Sequence, residues 1–172
     1  QAALFSSGMA AATSVFLALA PGDHVLAPKV MYWSLRNWLA GFATQWGLVV
    51  DLVDMGDLAA VNSALRPGRT KLVWIETPSN PLLRITDLRF VIDAAHKAGA
   101  LALVDNTFLS PALQRPIADF DADVVVHSTA SSAVQAVAMT ARTSKTAIRR
   151  CMVDLENVVR SPSRDLAITL TV

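Results

Sequence analysis

Leu101-Ala102-Leu103-Val104-Asp105-Asn106-Thr107-Phe108, a connecting segment, then Asp123-Val124-Val125-Val126-His127-Ser128-Thr129-Ala130-Ser131: residues 101–131 hold two apolar runs that each stop abruptly in polar residues. Strands buried on both faces of a parallel sheet read as unbroken Val/Leu/Ile runs. Ligands of such sheets bind just beyond the carboxyl ends of the strands. Asp105 and Ser128 both sit at such ends, so Asp105, Thr107 and Ser128 are expected to face one common site.

Working outward, the pattern repeats. Residues 24–27, 48–53 and 70–77 read as further buried strands, and residues 166–172 as a terminal one. Between them lie helical patterns: 8–20 behind a Ser6-Ser7 cap, 29–42, 58–65, and 88–97 behind Thr86-Asp87. Pro21-Gly22, Arg66-Pro67-Gly68 and Ala98-Gly99 are the stops. Strand and helix alternate with short connections, which predicts an α/β domain with a mostly parallel sheet and right-handed crossovers.

Composition narrows the partners. The 172 residues are 53% hydrophobic and 17% charged, with net charge +1. That is richer in apolar residues than an ordinary soluble domain, which suits a sheet buried on both faces or a surface covered by further segments or other subunits. A near-neutral chain carries no electrostatic footprint for nucleic acid or an anionic membrane. The apolar run at 9–20 is shorter than the roughly 20 residues needed to span a bilayer. A lone cysteine, Cys151, excludes an internal disulfide framework and suits a cytoplasmic location. The chain opens on Gln1 and is expected to be a piece of a longer protein.

Several positions carry chemistry. Gly8 opens a helix whose N-terminal N–H groups suit a phosphate, although a plain capped helix reads the same way. Tyr32, just past a strand end, is placed either to stack on a planar ligand or to join the apolar stripe of its helix. Asn80 lies in Pro78-Ser79-Asn80-Pro81, directly after a strand; the segment reads equally as an ordinary turn and as a site. There is no Gly-x-Gly-x-x-Gly and no phosphate-loop Lys-Ser/Thr, which weighs against a nucleotide binder.

Ser7-Gly8-Met9, Tyr32, Glu76-Thr77-Pro78-Ser79-Asn80-Pro81, Val104-Asp105-Asn106-Thr107-Phe108, Ser110-Pro111 with Gln114-Arg115-Pro116, and His127-Ser128 occur in that order. Over residues 4–128 the chain resembles the trans-sulfuration (Cys/Met metabolism) family of pyridoxal-phosphate (PLP) enzymes, which includes cystathionine γ-synthase, the cystathionine lyases and homoserine-ester sulfhydrylases. The resemblance implies the large domain of a fold type I, aspartate-aminotransferase-like PLP enzyme: a three-layer αβα sandwich, here incomplete. It implies homo-oligomers acting on small amino-acid substrates, by γ-replacement or elimination on homoserine esters or cystathionine. It also implies roles. Backbone N–H groups at Ser7, Gly8 and Met9 would hold the cofactor phosphate, and Ser128 would add a hydroxyl. Tyr32 would stack on the pyridine ring. Asp105 would pair with the ring nitrogen, supported by Thr107. Asn80 would donate to the ring 3-oxygen, with Glu76 behind it.

The departure comes next. The family continues His-Ser-x-Thr-Lys, and that lysine carries the cofactor as a Schiff base and moves protons. Here Ala130 and Ser131 stand at the last two positions, and no lysine follows before Lys145. The domain organisation expected is therefore 1–128 as a partial PLP-binding domain and 129–172 as a divergent tail. An abrupt loss of similarity suits a frameshift or rearrangement near codon 129 better than decay along the whole length. The chain alone is expected to be catalytically inactive, or to serve as a non-catalytic PLP-binding or oligomerising module.

Overall fold

A computed structural model describes residues 2–127 and 168–171. In chain order the elements are β1 (Ala2–Leu4), α1 (Gly8–Leu17), β2 (His24–Pro28), α2 (Trp33–Trp38), a π-helical segment (Leu39–Ala43), α3 (Thr44–Trp46), β3 (Val49–Val53), α4 (Leu58–Ala64), β4 (Thr70–Glu76), α5 (Leu88–Lys97), β5 (Leu101–Asp105), α6 (Ser110–Leu113), α7 (Pro116–Phe120), β6 (Val124–His127) and β7 (Ile168–Thr171). The strands form one sheet in the order β1-β7-β6-β5-β4-β2-β3. Every described pairing is parallel.

Alternation along the strands divides the core in two. Leu72, Trp74 and Leu103 point to one face, where α1 and the segment 33–43 pack through Phe16, Leu35 and Leu39. Val73, Ile75, Ala102 and Val104 point to the other, against Val61 of α4 and Val91, Ile92 and Ala95 of α5. Helices on both faces make the expected three-layer αβα architecture. Phe16, wholly buried, stacks on Trp74 at 5.3 Å between ring centroids and touches Trp38 at 5.7 Å. This aromatic contact fastens α1 to the middle of the sheet. At the amino edge of the sheet, buried His24 is satisfied by Thr70 Oγ1 at 2.8 Å and Asp51 Oδ2 at 3.1 Å, away from the strand ends that carry the site.

The helices start where their caps place them. Ser7 and Asp87 adopt extended backbone and accept from Ala10 N and Phe90 N, so α1 and α5 begin as their sequences predict. Elsewhere the structure departs from expectation. The helix expected over 8–20 ends at Leu17, because the Asp23 carboxylate accepts from Ala20 N and draws the chain into the turn. The helix expected over 29–42 begins only at Trp33: the chain bends over residues 29–31 after β2, Lys29 N donates to Val53 O, and Tyr32 sits ahead of α2 with its N–H on Glu76 Oε2. Strand β1 is too short to signal itself, and it pairs with β7. The connection 106–123 contains α6 and α7, each opening with a proline in its first turn. The strand expected over 166–172 is β7, between β6 and β1. Ser128, Ser131, Lys145 and the rest of 128–167 lie outside the described residues.

Phe16→Ala removes the aromatic that ties α1 to the sheet and should cost about 3–5 kcal/mol. Trp33→Ala, at a site 69% exposed, should stay within about 0.5 kcal/mol. Urea unfolding of the two variants checks the ranking; equal effects would contradict this packing.

Candidate cofactor site

Because the strands are parallel, their carboxyl ends share one edge of the sheet. The register sets Glu76 of β4 beside Asp105 of β5, and Asp105 beside Val126 of β6. The N-terminus of α1 and the loop after β2 reach the same edge. The result is a cavity of about 360 Å3, lined by Ser7, Gly8, Met9, Tyr32, Glu76, Asn80, Asp105 and Thr107 among others. Every described position singled out from the sequence therefore lies on one cavity. Ser128 falls outside the described residues.

Each is held for a local reason. Ser7 Oγ accepts from Ala10 N at 3.1 Å and Ser7 O from Ala11 N, leaving Gly8 and Met9 as first-turn N–H groups with no acceptor within the helix. Tyr32 is 43% exposed as a residue, while its N–H donates to Glu76 Oε2 at 2.9 Å. Asn80 N donates to the other oxygen, Glu76 Oε1, at 2.7 Å. Asp105 Oδ1 accepts from Thr107 N at 3.0 Å, and the Thr107 side chain adds a second bond to that carboxylate. Behind this turn, buried Asn106 accepts at Oδ1 from Gln114 Nε2 at 2.9 Å, its Nδ2 donates to the backbone carbonyl of Gln114 at 2.8 Å, and its backbone N–H donates to Val126 O. The turn that aims Asp105 is thus pinned from two sides.

The two carboxylates differ. Burial pushes Glu76 up to about 7; the Tyr32 and Asn80 N–H groups pull it back, and neighbouring Asp105 pushes it further up. Burial also raises Asp105, with both Thr107 hydrogen bonds opposing. A cation brought against Asp105 restores its charge. The described lining contains no lysine or arginine, so an anionic group here meets N–H and hydroxyl donors and a helix dipole rather than fixed positive charge.

The cavity also includes Ala12, Leu35, Phe108, Val126 and His127, none of them singled out from the sequence as site residues. His127 is buried and its Nδ1 has no hydrogen-bond partner among the described residues; burial lowers its pKa. It ends an apolar strand as Asp105 does, and that same signal points to it. Phe108, 51% exposed, is the apolar residue next to Thr107.

The donor set suits PLP. A dianionic phosphate matches a helix N-terminus, a flat heteroaromatic ring matches an exposed Tyr32 face, and a protonated ring nitrogen matches a carboxylate raised by burial. Fold and cavity together are those of an α/β domain with a ligand cavity at the carboxyl ends of its parallel strands. The family model for Cys/Met metabolism PLP-dependent enzymes matches residues 1–131, and the chain belongs to that family. A cystathionine β-lyase of Bacillus subtilis is 44% identical over 124 residues, which are 72% of this chain and 31% of that one. A cystathionine γ-synthase of Mycobacterium tuberculosis is 46% identical over 126 residues, 73% of this chain and 32% of its own. The crystal structure of metB from Corynebacterium glutamicum superposes with a TM-score of 0.68 at 40% identity, over 72% of this chain and 32% of that one. The chain thus spans about a third of the length of these relatives. Among the described residues no helix is long and apolar enough to cross a membrane, and no cluster of potential metal ligands occurs.

The folded-state pKa of Glu76, about 7, exceeds its ordinary 4.5. The stability it contributes is fully present below pH 4.5 and is lost as pH rises through about 7. Its share is on the order of 3 kcal/mol. Glu76→Gln should therefore make the fall in unfolding free energy between pH 5 and pH 8 shallower by about 2 kcal/mol. Urea titrations at the two pH values read this directly; an unchanged slope would contradict the burial argument.

Proposed function

We propose that this chain is the cofactor-binding part of a trans-sulfuration enzyme, whose parent reaction is γ-replacement or elimination on homoserine esters or cystathionine. The observation that carries the reading is the convergence of the α1 N-terminus, Tyr32 and Asp105 on one cavity in a chain of this family. Bound PLP supplies an electron sink for bond changes at the α-carbon of an amino acid. This chain's residues do the rest. Gly8 and Met9 N–H groups bind phosphate at the positive end of α1. Tyr32 covers one ring face, excluding water. Asp105, charged once it faces a cation, holds the proton on the ring nitrogen, and Thr107 fixes its direction. Asn80 orients the 3-oxygen, and Ser128 adds a donor to the phosphate.

Ser131 stands where the family has its lysine. On this reading the chain holds PLP without covalent attachment and does not turn over substrate by itself. The organisation proposed is a PLP-binding part over 1–128 and an unrelated tail over 129–172, of frameshifted or rearranged origin. Assembly with further copies belongs to the same reading, as does a cytoplasmic location.

Equilibrium dialysis of the full chain against PLP should show binding, weakened at least tenfold by Asp105→Ala and by Tyr32→Ala. Borohydride treatment followed by peptide mapping should leave no lysine labelled above the level of exposed surface lysines. Binding indifferent to both substitutions would place the cofactor elsewhere. Selective labelling of Lys145 would overturn the non-catalytic assignment.

A further inference from the structure

We infer that Glu76 is a positioning residue that sets Tyr32 and Asn80 jointly, as a carboxylate clasp between the loop after β2 and the loop after β4. The inference rests on the reading of the cavity as a PLP site and adds a role for a group behind the ligand-facing residues. Glu76 is the last residue of β4, between β2 and β5 in the sheet, and is 4% exposed. Its backbone is therefore among the most fixed at this edge. Its two oxygens are divided: Oε2 accepts from Tyr32 N and Oε1 from Asn80 N, at 2.9 and 2.7 Å. No side-chain cap hydrogen bond forms at Tyr32 at the start of α2, and the residue is 43% exposed. The ring's position is accordingly set through its backbone, and that backbone is tied to Glu76.

With Glu76 ionised, above about pH 7, the clasp demands a carboxylate of this length. Two inward N–H donors need two acceptors. A glutamine presents one acceptor oxygen and turns an NH2 group toward the second N–H, leaving a buried donor unpaired. An aspartate, one methylene shorter, does not span both loops. One side chain thus controls two residues expected to meet the same ring from different directions, and its loss displaces both at once.

The sequence contains a single tyrosine, Tyr32, which makes the test selective. In full-length chain carrying 3-fluorotyrosine, one 19F resonance reports that ring. Without cofactor, Glu76→Gln and Glu76→Asp should each move this resonance toward the position of free tyrosine. Asp93→Asn, an exposed change on α5, should leave it in place. With PLP, both Glu76 variants should raise the dissociation constant about tenfold, and Asn80→Ala should add little further loss in the Glu76→Gln background. In the unsubstituted chain, the Tyr32 and Asn80 amides should exchange hydrogen slowly, a readout that survives if a variant fails to fold. An unmoved resonance in folded Glu76 variants, or fast exchange at both amides, overturns the clasp. If the resonance moves and both amides are protected but PLP does not bind the unsubstituted chain, the clasp stands and the cofactor reading fails.

Discussion

The parallel register of β4 on β5 is the constraint from which the rest of the site follows. It places Glu76 directly beside Asp105 at the carboxyl edge of the sheet. Two neighbouring carboxylates withdrawn from water repel one another, and burial disfavours the charge on both. The fold answers by giving each its own donors. Glu76 takes backbone N–H groups from the two loops that flank it, and Asp105 takes both donors of Thr107. One carboxylate is thereby spent on loop geometry while the other remains available to the cavity. Had β5 slipped by one residue, Asp105 would face the opposite side of the sheet and this division would vanish.

The scaffold holds that register through the two faces of the sheet. Trp74 and Val73 are consecutive yet belong to different cores, so both α1 and α5 must dock for β4 to be buried. The Phe16–Trp74 contact then has a functional consequence: it seats α1, whose first turn presents Gly8 and Met9 to the cavity. The aromatic anchor and the cavity-lining first turn belong to one ten-residue helix.

Much of this is legible in residues alone, for physical reasons. The central strands are buried on both faces, so they appear as apolar runs, and the polar residue that ends each run marks the ligand edge. Asp105 is read this way, and Ser7 and Asp87 announce their helices because capping is local chemistry. What escapes is non-local. Ala2–Leu4 becomes a strand only because β7 lies beside it. Tyr32 fits the helical spacing of the stripe after it, yet stands ahead of the helix as its N-cap, because Lys29 N is held by Val53 O and Glu76 holds the Tyr32 N–H. That Glu76 joins two loops depends on a neighbour 44 positions away, which no window along the chain contains. His127 carries the same strand-end signal as Asp105, with the polar Ser128 directly after it.

The central claim is that the cavity at the carboxyl edge takes PLP with its phosphate on the first turn of α1. Titration of 15N-labelled full-length chain with PLP, followed by amide chemical shifts, tests it most directly. The account predicts large downfield movement of the Gly8 and Met9 amides together with perturbation around Asp105 and Thr107. Perturbations confined to the outer face of α4 and α5, with Gly8 and Met9 unmoved at saturation, would contradict it.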